Sequence, residues 1–361
     1  MAYHSEVVGS LLRPTYLLDA RQQLESGNLT PAAFKAIEDR AVNEAIALQE
    51  AVGLDVITDG EMRRYNFYGH FVEAVDGFDK FGGRVVPFHD EQGDKLIHKG
   101  PVVVERLKWR RNMCAEEWVY LRARTSHSAK VTLPNIMMTA AYYEANKSNS
   151  AYATRDAYLA DVVDIMRREV EELIRLGCTY IQIDAPNYTS FLDTKMRERF
   201  RRNGEDPDQL LARSIEIDNA IIDGHSGVTF ALHICRGNNQ SMFYTSGDYR
   251  PISDVFRRTH YHRFLLEYDD ERSGGFEVLQ HVPDDRSVVL GLITTKKPQL
   301  EAADELRQRI AEASRYIPLE RLALSPQCGF ASTMEGNNIS FEDQRRKLEL
   351  VVNVAREIWP S

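Results

Sequence analysis

The chain has 361 residues, of which 43% are hydrophobic and 27% are charged, and its formal net charge is −9. This length and composition fit one large globular domain or two modest ones. An acidic balance disfavours nucleic-acid binding, because the phosphate backbone attracts basic surfaces. The sequence has no apolar run of about eighteen residues, as a membrane span requires, and its first residues lack the basic and apolar regions of a signal peptide. We therefore expect a cytoplasmic protein without a membrane partner.

Short runs rich in Val, Ile and Leu recur along the chain, with helical patterns between them. The runs are nearly continuous in apolar residues, which is typical of parallel strands covered on both faces. We predict eight strands, at Glu6–Ser10, Leu54–Thr58, Lys130–Leu133, Tyr180–Ile183, Val228–Ile234, Arg263–Leu266, Ser287–Ile293 and Leu322–Leu324.

Helix signals occur between several of these strands. Thr30 and Pro31 are a cap and a first-turn proline, and Gly53 ends the helix that they begin. Ser340, with Asp343 three residues on, begins the last helix. Helices are predicted over residues 31–52, 155–176, 297–314 and 340–358.

Eight β/α steps in a chain of this size predict a TIM (β/α)8 barrel. Residues 66–128 form a long insertion after the second strand, which we expect to lie near the barrel mouth, within a single catalytic domain over residues 1–361. The alternative is a doubly wound open sheet. That fold would need a GxGxxG phosphate loop after the first strand, and "VVGSLLRP" does not supply one.

Most of the predicted strands end at polar residues, and in a TIM barrel these ends converge on one mouth. His233 and Cys235 are two residues apart on a strand, so their side chains share a face. Glu267 and Cys328 follow two other strands. Two thiolates, an imidazole and a carboxylate suit tetrahedral Zn²⁺, whereas thiolates argue against Mg²⁺ and Ca²⁺.

The alternative for any single cysteine is a buried, inert core residue, and this is our interpretation of Cys114 and Cys178. A closed structural zinc site would need four cysteines, or two cysteines and two histidines. A glutamate ligand and a position at a barrel mouth favour an open site instead. Zinc held by two thiolates suits alkyl transfer to a thiol better than hydrolysis, because it lowers the thiol pKa and leaves the sulfur nucleophilic.

With these residues in place, the chain resembles the C-terminal catalytic barrel of the cobalamin-independent methionine synthases, in a short single-domain form. The resemblance runs over nearly the whole chain. The motifs that carry it are "VGS" at 8–10, "DGE" at 59–61, "VDGF" at 75–78, "IQIDAP" at 181–186, "HIC" at 233–235, Glu267, and "PQCG" at 326–329. It implies a zinc ion bound by His233, Cys235, Glu267 and Cys328, and transfer of a methyl group to the sulfur of homocysteine.

The resemblance also implies roles for residues at other strand ends. Ser10, Glu61 and Asp184 would hold the amino-acid part of homocysteine, although an isolated acid at Glu61 or Asp184 could instead cap a helix. Asp184 and Lys296 are our candidates for catalysis. Arg236, in the cationic segment after the "HIC" motif, is predicted to bind an anionic part of the substrate.

The chain departs from the full-length enzymes in several ways. The resemblance does not extend to their N-terminal barrel, which helps to bind the folate, so we expect the methyl donor to be methyl-folate or methylcobalamin, either free or delivered by a protein. Ala185 replaces an acidic residue of the family motif. No histidine follows the seventh strand, where the family has its proton donor, so that role passes to one of Lys296, Thr295, His70 and Tyr188.

These departures leave other functions open. Related zinc enzymes alkylate coenzyme M, whose sulfonate could be bound by one of four arginines, Arg13, Arg63, Arg64 and Arg236. Retention of Glu61 and Asp184 favours an amino thiol. The uroporphyrinogen decarboxylase fold is a related barrel without a metal, and the positions of the Cys and His residues argue against it. The chain is also a candidate homo-oligomer.

Overall fold

The computed structural model describes residues 3–90 and 93–360. The helices of this part are α1 (Thr15–Glu25), α2 (Pro31–Val52), α3 (Gly69–Ala74), α4 (Ala115–Arg122), α5 (Ile136–Thr139), α6 (Ala145–Ser148), α7 (Arg155–Arg175), α8 (Thr194–Arg202), α9 (Pro207–Ile222), α10 (Ser253–Arg258), α11 (Ala303–Ala313) and α12 (Phe341–Ile358). Its strands are β1 (Val56–Ile57), β2 (Val75–Asp79), β3 (Val85–Asp90), β4 (Gly93–Lys99), β5 (Val102–Trp109), β6 (Ser128–Ala129), β7 (Val131–Pro134), β8 (Tyr180–Asp184), β9 (Thr229–Ile234), β10 (Arg263–Glu267), β11 (Ser287–Ile293) and β12 (Leu322–Pro326).

The main sheet is parallel, with the strand order β12-β11-β10-β9-β8-β7. Beside β7, the short strand β6 pairs in parallel with β1. The ring is completed by two single parallel bridges, from Ser5 to Leu324 and from Glu6 to Val56. Each parallel segment thus lies beside the next one in the chain, and the last lies beside the first. This is the strand order of a TIM barrel, as the sequence predicts.

A small group of buried side chains fills the space that this ring encloses. Its members come from different strand positions: Val8, Val56, Tyr180, Ala231, Leu265, Val289 and Ala323. Side chains from so many strands meet only where the sheet closes on itself, as in the interior layers of a TIM barrel. The much larger second core lies between the sheet and the surrounding helices.

One buried carboxylate holds charged residues together inside the ring. Glu6 accepts hydrogen bonds from Arg263 Nε at 2.8 Å and from the Tyr180 hydroxyl at 2.9 Å, and it pairs with Lys130. Burial alone would raise the pKa of Glu6, but Lys130 and Arg263 outweigh burial and lower it. These residues come from the first, third, fourth and sixth strand positions, so Glu6 ties distant parts of the barrel together.

The first two strands are shorter than predicted, because side chains replace the ladder hydrogen bonds. The Val8 and Gly9 carbonyls accept hydrogen bonds from the side chains of Gln182 and Thr58. Thr58 in turn exchanges two backbone hydrogen bonds with the buried amide of Gln49 in α2, at 2.8 and 3.0 Å. The predicted strands from the fourth to the eighth are confirmed to within one or two residues.

The helix signals are confirmed at α2, α7 and α12. Gly53 adopts a left-handed φ of 84° after α2, and Ser340 and Asp343 form a reciprocal capping box at α12. The predicted start of α11 is wrong by several residues. Glu301 is instead held before the helix, where it accepts from the Thr294 backbone N–H at 2.8 Å. In the described part of the chain, every helix is too short or too polar to span a lipid bilayer.

The segment 66–128 contains α3, α4 and two antiparallel pairs, β2 with β5 and β3 with β4. The end of β3 reaches the loop that follows β9, where His89 and Phe243 exchange backbone hydrogen bonds of 2.8 and 2.9 Å. The insertion therefore contacts a loop on the carboxyl side of the barrel strands, the side on which we expect the site.

The cluster around Glu6 gives a test of what stabilises the barrel. Glu6→Gln would leave Lys130 and Arg263 as buried cations without a carboxylate, and breaking such a pair typically costs about 3–5 kcal/mol. We expect the free energy of unfolding in urea to fall by that amount. Ser340→Ala, which removes only the cap of α12, should cost about 1 kcal/mol. Equal losses in the two variants would contradict a central role for Glu6.

Candidate active site

Three metal-binding side chains meet at the carboxyl ends of the parallel strands. His233 lies in β9, Cys235 directly follows β9, and Cys328 follows β12. One ligand atom from each lies within 4.8 Å of the others, and all three residues are buried. The structure thus brings together three of the four predicted ligands, although the two cysteines are far apart in the chain.

The His233 ring is oriented for ligation. Its Nδ1 lies 3.2 Å from the Leu265 carbonyl oxygen, to which it donates, and its buried Nε2 has no hydrogen-bond partner among the described residues. A carbonyl that accepts from one ring nitrogen leaves the lone pair of the other free for a metal. Such a buried nitrogen without a partner fits a metal ligand better than a core histidine.

The two thiols are electrostatically distinct. Hydrogen bonding from the Cys235 thiol, together with His233 and Lys296, holds the pKa of Cys328 well below its usual range in spite of burial. The same thiol–thiol hydrogen bond, together with burial, raises the pKa of Cys235. Cys328 therefore loses its proton more readily than Cys235, and thiolate is the form that binds zinc.

Glu267 lies beside the cluster but is held by other groups. Its Oε2 accepts from the Arg236 backbone N–H at 2.5 Å, and its Oε1 lies 3.3 Å from Lys296 Nζ and 3.6 Å from Arg272. The side chain is fully buried. Glu267 does not belong to the group within 4.8 Å, so its place as a fourth ligand stays a prediction.

Lys296, the predicted proton donor, lies beside two carboxylates. Its Nζ forms ion pairs with Glu267 at 3.3 Å and with Asp269 at 3.6 Å. Burial lowers the pKa of Lys296, but the two carboxylates outweigh this and raise it, so the amine is protonated. Of the other candidates, Tyr188 donates to Asp218 at 2.8 Å, while buried His70 has no hydrogen-bond partner among the described residues.

Asp184 and Glu61 are buried carboxyl groups near the cluster, and the pKa values of both are raised. The pKa of Asp184 is raised to about 7, chiefly by burial; neighbouring His233 lowers it and the charge of Glu61 adds to the rise. Burial also raises the pKa of Glu61, whose Oε2 has no hydrogen-bond partner in the described structure. A bound cation would stabilise both groups, so neither residue behaves as a simple helix cap.

The backbone around Glu61 is unusual. Gly60 and Glu61 both have left-handed φ values, of 71° and 54°. This conformation is strained for a glutamate, and such strain is concentrated at functional sites. The backbone N–H of Glu61 donates to Asp59 Oδ1 at 2.9 Å, which fixes the turn. The turn directs the Glu61 side chain towards Thr132, whose hydroxyl donates to Oε1 at 2.8 Å.

Ser10 contacts the turn that carries Cys328. Its hydroxyl accepts from the Ala331 backbone N–H at 3.3 Å, and its carbonyl accepts from Phe330 at 2.8 Å. A Cβ atom on Gly329 would lie 2.0 Å from Ser10 Oγ, so only glycine fits there. These contacts position the turn, and binding of substrate by Ser10 stays a prediction.

Arg236 has a different environment from the one predicted. The residue is fully buried, and its guanidinium donates to the Gly247 carbonyl at 2.9 and 2.5 Å, to the Glu267 carbonyl at 3.1 Å and to the Tyr249 hydroxyl at 3.1 Å. These contacts join the loops after β9 and β10. They give Arg236 a structural task, and none of them supports the predicted substrate binding.

Sequence reasoning missed a polar network behind Cys328. Asn238 Nδ2 donates to the Gly329 carbonyl at 2.7 Å, and the Thr295 hydroxyl donates to the same oxygen at 3.1 Å. Thr295 also donates through its backbone N–H to the side chain of Gln327 at 2.8 Å. The polar segment after the "HIC" motif was the available signal, but the sequence does not show that it contacts a turn 91 residues away.

The other two cysteines are confirmed as core residues. Cys114 and Cys178 are buried in the large hydrophobic core, away from the cluster of ligands. Burial raises the pKa of both thiols, which leaves them protonated and unreactive.

Comparison with known proteins places this arrangement in a family. The family model described as "Cobalamin-independent synthase, Catalytic domain" matches residues 4–357. The chain belongs to the cobalamin-independent synthase family, as its motifs predict.

Individual relatives match over nearly their whole length. YxjH of Bacillus subtilis (strain 168), named as an uncharacterized protein, is 33% identical over 99% of this chain and 95% of its own. The methionine synthase of Pyrococcus abyssi is 24% identical over 98% of this chain and 91% of its own. The crystal structure of a putative vitamin-B12-independent methionine synthase from Listeria monocytogenes is 26% identical, has a TM-score of 0.75, and is matched over 100% of this chain and 99% of that one.

The close approach of Ser10 and Gly329 is directly testable. Gly329→Ala should destabilise the chain by about 1–3 kcal/mol, because the new methyl group overlaps the Ser10 hydroxyl. Ser10→Ala in that background removes the overlapping oxygen and should restore part of the loss. A double-mutant cycle of unfolding free energies measures the coupling. Additive effects would show that the two residues do not touch.

Proposed function

We propose that this chain is a zinc-dependent methyltransferase that methylates the thiol of homocysteine to form methionine. The observation that carries the proposal is the convergence of His233, Cys235 and Cys328 within 4.8 Å at the mouth of the barrel, in a member of the cobalamin-independent synthase family. We also propose that residues 1–361 form one catalytic domain, because the family match runs from residue 4 to residue 357.

Zinc fits the donor set at this cluster. One imidazole with a free Nε2 and two sulfurs, one of them a thiolate, are ligands that zinc prefers. His233, Cys235 and Cys328 would hold the ion, and Glu267 is the proposed fourth ligand. Bound zinc lowers the pKa of a substrate thiol and leaves its sulfur nucleophilic.

The carboxylates near the cluster provide a place for the amino end of homocysteine. Glu61 Oε2 is buried without a hydrogen-bond partner among the described residues, and Asp184 and Glu61 repel each other. An α-ammonium group would relieve both conditions, because a buried carboxylate is stabilised by a nearby cation. We assign the ammonium to Glu61 and Asp184, and the carboxylate of homocysteine to the region of Ser10.

Lys296 is the proposed proton donor to the group that leaves the methyl donor. Its amine is protonated and is held beside the cluster by Glu267 and Asp269. The methyl donor is proposed to be methyl-folate or methylcobalamin, either free or delivered by a protein, as the sequence predicts.

The contacts of the arginines give less support to the coenzyme M alternative. Arg236 and Arg13 donate to backbone carbonyls, the latter to Ala331 and Arg64 among others. Arg64 pairs with Glu117, and Arg63 pairs with acids of α2. Each of the four arginines that could bind a sulfonate already has a carbonyl or carboxylate partner in the described structure, which favours an amino thiol.

The metal assignment predicts about one zinc per purified chain. Cys235→Ser and Cys328→Ser should each lose most of it, because a hydroxyl is a poor replacement for a thiolate ligand. Cys178→Ala, at a buried cysteine outside the cluster, should keep its zinc. Plasma mass spectrometry of the purified variants measures the content. Full zinc retention in both serine variants would exclude this ligand set.

The substrate assignment predicts a choice between thiols. Homocysteine should release a proton on binding and change the visible spectrum of the cobalt-substituted protein, whereas coenzyme M should do neither. A panel of methyl-folate, methylcobalamin and S-methylmethionine, with mass detection of the methylated product, identifies the donor. A response to coenzyme M alone would replace homocysteine with the sulfonate thiol.

A further inference from the structure

Arg64 shares its charge between two buried carboxylates. Its Nη1 lies 3.6 Å from Glu61 Oε1, while its Nε and Nη2 donate to Glu117 Oε2 at 3.1 and 2.7 Å. All three side chains are buried. The stronger, two-pronged contact is therefore with Glu117, and Glu61 receives the weaker one.

The hydroxyl of Thr132 connects Arg64 to Glu61, the carboxylate with the weaker direct contact. Thr132 Oγ1 accepts from Arg64 Nη1 at 2.6 Å and donates to Glu61 Oε1 at 2.8 Å. Glu61 Oε1 is thus partnered, whereas Oε2 has no partner in the described part of the chain. A Cβ atom on Gly9 would lie 2.3 Å from Glu61 Oε1, which is too close for a side chain at that position. A side chain at residue 9 therefore cannot take the place of Thr132 as the partner of this oxygen.

Glu117 belongs to the insertion, in α4, and not to the barrel strands. The N-terminal end of α4 is fixed by Glu169 of α7, which accepts from the backbone N–H groups of Met113 and Cys114 at 2.8 and 2.7 Å. The position of Glu117 is therefore set by barrel helix α7. Through Glu117 and Arg64, residues 66–128 are connected to Glu61.

We propose that Arg64 and Glu117 are positioning residues for Glu61, and that Glu117 draws the guanidinium towards itself so that Glu61 Oε2 stays available for a substrate ammonium group. This inference rests on the proposed function, in which Glu61 holds the α-ammonium of homocysteine. It gives the insertion a part in recognising an amino thiol.

The physical reason is competition for one carboxylate. Without the negative charge of Glu117, Arg64 is a buried cation whose nearest remaining acid is Glu61, and its pull on that carboxylate increases. The ammonium group of the substrate then has to displace a stronger ion pair, and it is repelled by an unshared guanidinium. A thiol without an amino group is not affected by this competition.

Glu117→Gln tests the proposal, with Glu116→Gln as the matched control. Glu116 is the preceding residue of α4, but it is exposed and pairs with Lys35. In zinc-loaded protein, Glu117→Gln should raise KM and calorimetric Kd for homocysteine about tenfold, the loss expected when a charge-assisted hydrogen bond is weakened. The value of kcat should change by less than about twofold, because the reacting sulfur is not touched.

The decisive comparison uses 4-mercaptobutyrate, which has the thiol and carboxylate of homocysteine without the amine. Its inhibition constant should be the same in Glu117→Gln as in the unmodified chain, and Glu116→Gln should alter neither ligand. An equal loss for both thiols in Glu117→Gln would overturn the proposal and indicate a general structural effect. No methylation of homocysteine by the unmodified chain would instead overturn the proposed function itself.

A second pair of variants covers the case in which Glu117→Gln does not fold. Thr132→Val removes the bridging hydroxyl with little change of volume, while Thr132→Ser keeps it. We expect Thr132→Val to weaken homocysteine binding selectively and Thr132→Ser to bind as the unmodified chain does. Equal binding of homocysteine by the two Thr132 variants would contradict the bridge between Arg64 and Glu61.

Discussion

The closed barrel depends on the buried carboxylate of Glu6. In the described part of the chain, the first strand position pairs through two single bridges, at Ser5 and Glu6, which is less backbone pairing than the other strand positions have. Glu6 adds ionic contacts inside the ring, to residues of the third, fourth and sixth strand positions. This closure brings the segment that carries Ser10 beside the one that carries Cys328.

Much of this architecture could be predicted because it depends on short-range patterns in the sequence. Continuous apolar runs predicted β8 to β12, and Gly53 and Ser340 predicted helix ends. Each of these signals depends on residues that are close together in the chain. The shortened first strands could not be predicted. Their ends are set by the side chains of Gln49 and Gln182, which replace backbone partners from elsewhere in the fold.

The site was predictable to a similar degree and for a related reason. The "HIC" spacing and the thiol of Cys328 could be recognised as ligands because strand ends converge in a barrel. The contacts of the other charged side chains could not be predicted, because their partners are neighbours in space and not in the chain. Arg236 follows the motif directly and looked like an anion site, yet carbonyls of two loops take up its guanidinium. Glu267, the fourth predicted ligand, lies beside the cluster but among cations.

The left-handed backbone at Glu61 has a consequence for how this chain can evolve. Glycine would adopt the φ of 54° without strain, and relief of such strain is worth on the order of 1–3 kcal/mol. Glu61→Gly would relieve this strain, but it would also remove the hydrogen bond from Thr132, the ion pair with Arg64 and the carboxylate at the mouth of the barrel. The residue therefore marks a point at which backbone strain and the proposed activity oppose each other.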